Sequence, residues 1–144
     1  MSIHYQKYSP TGNVTLLVTT PVPRKDQPGI AARLLGPGGV GVEQAGFIEP
    51  AGDARCPARL QMMGGEFCGN ATMALGALLC RREALADGEL RSLRLEVSGA
   101  SGTVPCAILR AISDSTDENH SMEFATFMPL AVENSHKILM EVLK

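Results

Sequence analysis

One segment of the chain, residues 71–79, is apolar at nearly every position and limits the possible folds more than any other feature. In a helix its apolar residues would cover almost every face: Ala71, Met73, Ala74, Leu75, Ala77, Leu78 and Leu79. A helix that is apolar on all sides is stable only when it is buried in a core. The sequence therefore predicts a buried central helix from Ala71 to about Arg82, around which the rest of the chain must pack.

The segments on both sides of this helix have the patterns of β-strands, with β-branched or alternating apolar residues between turn-forming residues. The predicted strands are residues 3–8, 14–20, 40–49, 58–63, 93–97, 104–111 and 122–128. Two peripheral helices are predicted. The first runs from Gln27 to Leu35, where Asp26 can cap its start and Gly36 ends it, and the second runs from Ala131 to Lys144. Strands around one buried helix, with one or two peripheral helices, indicate an α+β fold.

Length and composition are those of an ordinary globular chain. The 144 residues suit a single domain, residues 1–144, which buries roughly 68–70% of its unfolded surface without disulfides or metal. The formal net charge is −2 and at most two basic residues are consecutive, so a nucleic-acid partner is not expected. The longest uncharged apolar stretch, residues 71–80, is too short to span a bilayer, and the N-terminus lacks the apolar core of a signal peptide. These features predict a cytoplasmic protein without a membrane partner.

The cysteines and glycines do not form the patterns of common cofactor sites. No two of the four cysteines have the Cys-x-x-Cys spacing, and the three histidines are scattered singly, so neither a disulfide framework nor a metal site is predicted. Gly36–Gly41 formally matches the dinucleotide fingerprint G-x-G-x-x-G. A predicted helix precedes this segment and an extended segment follows it, which is the reverse of the order that the fingerprint requires. We interpret it as a glycine loop.

Cys68 differs from the other cysteines because it directly precedes the buried helix, in the segment Gly64–Ala71. Glycines on both sides of it allow a ligand to approach the backbone closely. The positive end of the helix dipole favours a thiolate there, and the N–H groups of Gly69 and Asn70 can hold a carboxylate. The alternative is a small buried hydrophobic residue, as we interpret Cys56, Cys80 and Cys106. The flanking glycines favour an active-site thiol for Cys68.

Three segments together resemble the diaminopimelate epimerase family: Tyr8–Asn13, with its Gly-Asn turn after the first strand, Gly41–Pro50, and Cys68–Asn70, the thiol box before the central helix. The two predicted strands and the turn within Ser92–Leu109 also fit this family. The form of the thiol box in Met63–Ala71 is similar to that of the histidine racemase branch. The resemblance covers most of residues 3–128.

The resemblance implies a lobe in which a mixed sheet wraps around a central helix, and a racemase or epimerase that uses no cofactor. In that family one thiolate removes the α-proton of an amino acid, while a thiol from a second lobe protonates the opposite face. By resemblance Cys68 is one of the two bases, Gly69 and Asn70 bind the α-carboxylate, and Asn13 and Gln44 line the substrate pocket. Taken alone, Asn13 would be a turn residue, Gln44 a strand residue and Asn70 a helix cap.

The chain departs from the family in length, because family members are roughly twice as long and carry the second cysteine in their second half. This chain has no second thiol box and resembles the N-terminal lobe alone. A homodimer or a complementary lobe would then supply the second acid or base. Two alternatives stay open: a non-catalytic module that binds amino acids, and a truncated, inactive fragment. The pattern does not select the amino acid.

Overall fold

Pairs of strands are separated by helices along the residues that the computed structural model describes, which are 2–10, 12–82 and 89–109. The strands are β1 (Tyr5–Tyr8), β2 (Thr15–Val18), β3 (Gln44–Glu49), β4 (Arg59–Met62), β5 (Leu90–Val97) and β6 (Thr103–Leu109). The helices are a 3-10 turn at Arg24–Asp26, α1 (Gln27–Leu35) and α2 (Gly69–Arg82). Each α-helix follows a strand and leads into the next one.

Nearly all of the described residues belong to one compact unit, Met1–Leu85 with Leu90–Ile108. A second unit, Ala86–Glu89 with Leu109–Lys144, falls almost wholly outside the described residues. The strand predicted at residues 122–128 and the helix predicted from Ala131 to Lys144 therefore also lie outside them. A single domain over residues 1–144 stays a prediction.

The six described strands form one mixed sheet in the order β1-β2-β3-β4-β5-β6. The pairs β1/β2 and β3/β4 are antiparallel, whereas β2/β3 and β4/β5 are parallel. Parallel neighbours need a long crossover connection, and each parallel pair here is connected through one helix, α1 or α2. The predicted α+β class with a mixed sheet is confirmed.

Helix α1 covers one face of the sheet. Ile30 and Ala31 of this helix share a core cluster with side chains from β2, the loop after it and β3: Leu16, Val18, Val22, Ala45 and Phe47. The intervening residue of β2, Leu17, belongs to a different cluster on the opposite face. Because both faces of β2 are covered, all four of its residues are buried.

Helix α2 forms the second core cluster with the opposite face of the sheet. Its inward side chains Ala71, Ala74, Leu75 and Leu78 pack against Leu17, Leu60, Met62, Leu95 and Val97. The predicted buried helix is therefore present, although it is not covered on every side, because Met73 is 44% exposed. The reason is that the sheet covers one side of α2, so residues on its other side, such as Met73, stay exposed. Neither α-helix in the described ranges is long and apolar enough to span a bilayer.

The element boundaries differ from the predicted ones mainly at turns and caps. Helix α1 has the predicted bounds, and Gly36–Gly41 forms bends and turns between α1 and β3, with positive φ at Gly38 and Gly41. The predicted cap at Asp26 is wrong, because its side chain makes no capping hydrogen bond. Asp26 already has helical φ and ψ as part of the 3-10 turn, whereas a capping side chain needs an extended backbone.

Candidate active site

The sheet topology brings three distant chain segments to one edge of the sheet. Strands β2 and β3 are parallel with Thr15 opposite Gln44, so both begin at this edge. Strand β4 is antiparallel to β3, and its last residue, Met62, pairs with Gly46 near the start of β3. The loop that leads to α2 therefore leaves the sheet at the edge where β2 and β3 begin. Candidate site residues that are far apart in sequence therefore lie together at this edge.

Cys68 is the N-cap residue of α2. Its carbonyl oxygen accepts hydrogen bonds from the Thr72 N–H at 3.0 Å and from the Thr72 hydroxyl at 2.7 Å. Its sulfur accepts a hydrogen bond from the Ala71 N–H at 3.4 Å, which is the geometry of a capping side chain. The helix N-terminus therefore directs an N–H donor at Sγ, and such a donor stabilises negative charge on the sulfur.

A second contact of Cys68 has the opposite effect on the thiol. Sγ donates to the Oε1 atom of Gln44 at 3.2 Å, and an acceptor at this distance stabilises the protonated sulfur. The Nε2 atom of the same amide donates to Thr15 Oγ1 at 2.6 Å. Cys68 is half-buried and packs against the α2 core cluster. The sulfur thus lies between one donor and one acceptor, an arrangement in which either protonation state keeps a partner.

The first turn of α2 presents the two backbone donors that the sequence predicts for a carboxylate. The first N–H groups of an α-helix have no partner within the helix. The Ala71 N–H donates to sulfur, whereas the N–H groups of Gly69 and Asn70 make no hydrogen bond to any described residue. Gly69 is exposed and Asn70 half-buried. A negatively charged group next to Cys68 could bind both donors.

Asn13 lies two residues before β2, at the same edge of the sheet. Its Oδ1 atom is buried and has no hydrogen-bond partner among the described residues. An unpaired buried carbonyl oxygen costs about 1–3 kcal/mol relative to its hydrated state. A ligand that donates a hydrogen bond to Oδ1 would recover part of this cost. The structure thus brings Gln44 into direct contact with Cys68, and puts Asn13 at the same edge without a hydrogen bond to it.

The loop before Cys68 is held by a residue that the sequence analysis missed. Ser98, at the end of β5, is buried; its Oγ accepts from the Met62 N–H at 2.9 Å and donates to the Glu66 carbonyl at 2.8 Å. Gly99 follows with φ of +73°, and a Cβ atom there would lie 2.3 Å from the Phe67 nitrogen. The sequence pattern places both residues only in a glycine-rich turn, because nothing local shows which loop the turn contacts.

Three large apolar side chains close to Cys68 in sequence are exposed. The exposed fractions are 41% for Met63, 51% for Phe67 and 44% for Met73. A large apolar side chain that is exposed would gain stability from burial against a partner. These residues lie on the loop before the thiol and on the second turn of α2.

Two of the other cysteines have surroundings that raise the pKa of their thiols. Burial raises the pKa of the Cys56 thiol, and the carboxylates of Asp53 and Glu96 raise this pKa further. Burial also raises the pKa of Cys106, with a smaller contribution from Cys80. All four cysteines are unbridged, and within the described ranges no three His, Cys, Asp or Glu side chains converge on a possible metal position. Cys68 is the cysteine that combines partial exposure with a helix N-terminus.

Fold and site together define a class: an α+β lobe that holds a helix-capping thiol against an amide from a neighbouring strand. The chain belongs to the family described as histidine racemase CntK N-terminal domain, whose model matches residues 2–141. The resemblance to the histidine racemase branch, recognised from the thiol box, is therefore confirmed.

Individual proteins that are similar to this chain are also named histidine racemases. The chain is similar to a histidine racemase of Staphylococcus aureus, with 39% identity over 107 residues, which are 74% of this chain and 38% of that protein. Two histidine racemases of Fusobacterium nucleatum are 35% and 34% identical over 82 residues, which are 56% of this chain and 28% of each relative. The matched segments thus span well under half of the relatives' own length.

Proposed function

We propose that this chain is the thiol-bearing lobe of an amino-acid racemase, with the architecture of a diaminopimelate epimerase lobe, and that Cys68 moves the α-proton without a cofactor. The observation that carries this proposal is the pair of contacts at Sγ, from the Ala71 N–H and to Gln44 Oε1. In a two-base racemase a thiol accepts the α-proton in one direction of the reaction and donates a proton in the other, so both of its protonation states must be accessible. A donor and an acceptor at the same sulfur meet this need.

Substrate binding at this site follows from the unpaired polar groups around the thiol. The N–H groups of Gly69 and Asn70 would bind the α-carboxylate at the helix N-terminus, one turn or less from Cys68. The unpaired Oδ1 of Asn13 would accept a hydrogen bond from the α-ammonium group. These contacts would orient the α-hydrogen toward Sγ. Gln44 would line the same pocket through its contact with Cys68.

The chemistry requires such oriented dipoles because an amino-acid α-proton is very weakly acidic. Without an electron-accepting cofactor, the negative charge that develops on deprotonation must be stabilised by fixed N–H donors in a site from which water is excluded. Carboxylate binding at the α2 N-terminus would provide those donors. The partly exposed edge still needs a cover, since Cys68 is only half-buried in this chain.

Inversion needs an acid and a base on opposite faces of the α-carbon, and this lobe supplies one of them. We propose that a complementary lobe or a second copy of the chain supplies the other. The exposed side chains of Met63, Phe67 and Met73, on the segments next to Cys68 in sequence, would gain stability from burial under such a partner. The length of the relatives is consistent with this proposal, because the matched segment is 38% of the Staphylococcus aureus protein.

Histidine is the substrate that we propose, because three similar proteins are named histidine racemases. A reaction that depends on a reduced thiol also suits a reducing compartment, so we propose the cytoplasm as its location. Both proposals concern the complete enzyme to which this lobe would belong.

Racemisation followed by chiral chromatography tests the proposed function. The chain would be incubated with L-histidine, alone at increasing concentration and mixed with the remainder of the Staphylococcus aureus relative as the complementary lobe. We expect D-histidine to form, and Cys68→Ser to lower the rate by roughly 10²–10⁴-fold, the range for loss of a general acid–base group. Cys56→Ser is the matched control, since Cys56 is a buried thiol away from the α2 N-terminus, and it should retain the activity. Equal activity of both variants, or none in any mixture, would exclude the proposal.

A non-catalytic amino-acid-binding module is the second candidate. It is favoured by the presence of a complete carboxylate position, Gly69 and Asn70, next to a single thiol in the described part of the chain. Such a module would bind histidine in calorimetry with and without the Cys68→Ala substitution. It would form no D-histidine with any partner, which separates it from the racemase.

A further inference from the structure

Thr15 is a polar residue at a buried strand position where an apolar residue would also fit. It is fully buried at the start of β2, followed by three buried apolar residues. Valine has the same shape and favours strands at least as well, and burying a hydroxyl is costly without a hydrogen bond. The hydroxyl has such a bond, because Oγ1 accepts from Gln44 Nε2 at 2.6 Å. Gln44 is the residue that also contacts the Cys68 sulfur.

The orientation of the Gln44 amide decides whether the Cys68 sulfur faces a hydrogen-bond acceptor or a donor. A glutamine amide has an acceptor on one side and an NH₂ donor on the other, so its two orientations have opposite effects on a thiol. With Oε1 toward Sγ, the amide stabilises the protonated sulfur. With Nε2 toward Sγ, it would stabilise the thiolate. In the observed arrangement Thr15 Oγ1 accepts from the NH₂ group of Gln44, and Oε1 of the same amide faces the thiol.

We propose that Thr15 is a positioning residue, whose hydroxyl holds Gln44 so that the carbonyl oxygen of its amide meets the Cys68 thiol. This inference rests on the proposed function in that it concerns one of the two forms that Cys68 takes in the reaction, the protonated thiol that donates to the α-carbon. After donation, the Ala71 N–H stabilises the resulting thiolate. Strand β2 therefore acts on the site through β3, without Thr15 touching the substrate.

Removal of the Thr15 hydroxyl should allow the Gln44 amide to turn, and the direction of this turn can be predicted. Buried N–H groups without a partner are rarer in proteins than under-satisfied carbonyl oxygens. In Thr15→Val the NH₂ group loses its acceptor, and the amide can recover one by turning Nε2 toward Sγ. Cys68 would then lose an acceptor and gain a donor, so its thiolate would form at lower pH. Exchange of one hydrogen-bond partner for another should lower the pH midpoint of thiolate formation by roughly half a unit.

Ionisable groups on the surrounding elements are unchanged by this substitution. They include Lys7 and Tyr8 on β1, Glu43 before β3, Arg59 on β4, Glu66 on the loop, Arg94 and Glu96 on β5 and Cys106 on β6. Glu43 and Glu66 are exposed, and α2 has no acidic residue in its first turn. A shift between variants at Cys68 thus reports on the Thr15–Gln44 pair rather than on these groups.

Iodoacetamide alkylation of Cys68, followed by mass spectrometry of its peptide from pH 5 to 10, tests this proposal with the full chain. We expect the pH midpoint of alkylation to fall by about half a unit in Thr15→Val and to stay near the parent value in Thr15→Ser, which keeps the hydroxyl. Thr15→Ala is a second variant without the hydroxyl and should shift in the same direction. Circular dichroism would verify that each variant is folded.

A double-mutant cycle shows whether Thr15 acts through Gln44. In a Gln44→Met background, which has neither amide group, Thr15→Val should cause no further shift of the midpoint. An unchanged midpoint in folded Thr15→Val and Thr15→Ala, or an equal shift with and without Gln44, would overturn the proposal. The alkylation readout needs no racemase activity, so failure of the proposed function and failure of this inference are separate results.

Discussion

At the scale of single residues, the thiol box could be recognised from sequence, but the partners of its sulfur could not. Glycines and a following apolar helix are local signals, and they indicate Cys68, Gly69 and Asn70. Gln44 is expected from sequence only to line a pocket, whereas it contacts Sγ directly. Thr15 is not expected at all, because its contact with Gln44 depends on the register that sets the two residues opposite each other. Register is a non-local property that a strand pattern alone does not specify.

Gly46 provides a prediction at the residue scale. This glycine lies in β3, where a Cβ atom would come within 2.7 Å of Leu60 Cδ1 and 3.2 Å of Met62 Sδ. We expect Gly46→Ala to destabilise the fold by about 1–3 kcal/mol, because the core must shift to admit the methyl group. Urea unfolding measures this change in the free energy of unfolding.

Gly29 is the matched control for this substitution. It lies in α1 and is exposed, and a methyl group added there would meet no neighbouring atom within 4 Å outside its own helical turns. Gly29→Ala should stabilise the protein by roughly 0.5–1 kcal/mol through helix propensity and reduced chain entropy. Destabilisation by both substitutions, or by neither, would contradict the packing described for β3.

At the scale of elements, the helices could be predicted more accurately than the contacts between loops. The predicted bounds of α1 are correct, and α2 begins at Gly69 because the Cys68 carbonyl accepts the first helical hydrogen bonds. The support of the thiol loop by the β5–β6 turn could not be predicted. Ser98 and Met62 are 36 residues apart, and hydrogen bonds over such distances leave no periodic pattern in the sequence.

Ser98 leads to a prediction at the element scale. Ser98→Ala leaves the buried Met62 N–H without its acceptor and the Glu66 carbonyl without its donor. We expect a loss of about 1–3 kcal/mol in the free energy of unfolding, and a change in the alkylation rate of Cys68 because the loop that positions it is less constrained. Ser101→Ala, an exposed position in the same turn, should change neither quantity. Identical behaviour of the two variants would show that the turn does not hold the loop.

At the scale of the whole molecule, the ion pairs of the described residues lie at the sheet edge opposite the thiol. Glu49 ends β3 and is paired with Arg24 at 2.8 Å and Arg59 at 3.6 Å, and Arg59 also pairs with Glu96 at 3.4 Å. Hydrogen bonds from Arg24 hold the pKa of Glu49 below its ordinary value of 4.5, and backbone N–H groups at Asp53 and Gly52 do the same for the pKa of Glu96. These ion pairs thus lie at the other end of the strands from Gln44, the residue that contacts Cys68.

The lowered pKa values determine how stability depends on pH. A carboxyl group whose pKa is lower in the folded than in the unfolded chain contributes stability above its unfolded pKa, and this contribution is lost as the pH falls through the folded pKa. We therefore expect thermal stability to decrease below pH 4.5 as Glu49 and Glu96 are protonated.

Arg24→Met tests the assignment of this acid sensitivity to Glu49. The substitution should reduce the loss of thermal stability between pH 6 and pH 3, by less than about 1 kcal/mol since Arg24 is largely exposed. Lys25→Met removes the same charge from the neighbouring exposed residue and should leave the pH dependence unchanged. An equal effect of the two substitutions would indicate net charge rather than the Glu49 pair as the cause.

The most direct test of the proposed chemistry is transfer of solvent deuterium to the α-carbon of histidine. The chain, with its complementary lobe, would be incubated with L-histidine in D₂O, and loss of the α-proton signal would be followed by NMR. We predict exchange that Cys68→Ser abolishes and Cys56→Ser preserves. Exchange that is independent of Cys68, or its absence over a broad panel of amino acids with the complementary lobe present, would contradict the claim that this thiol moves the α-proton.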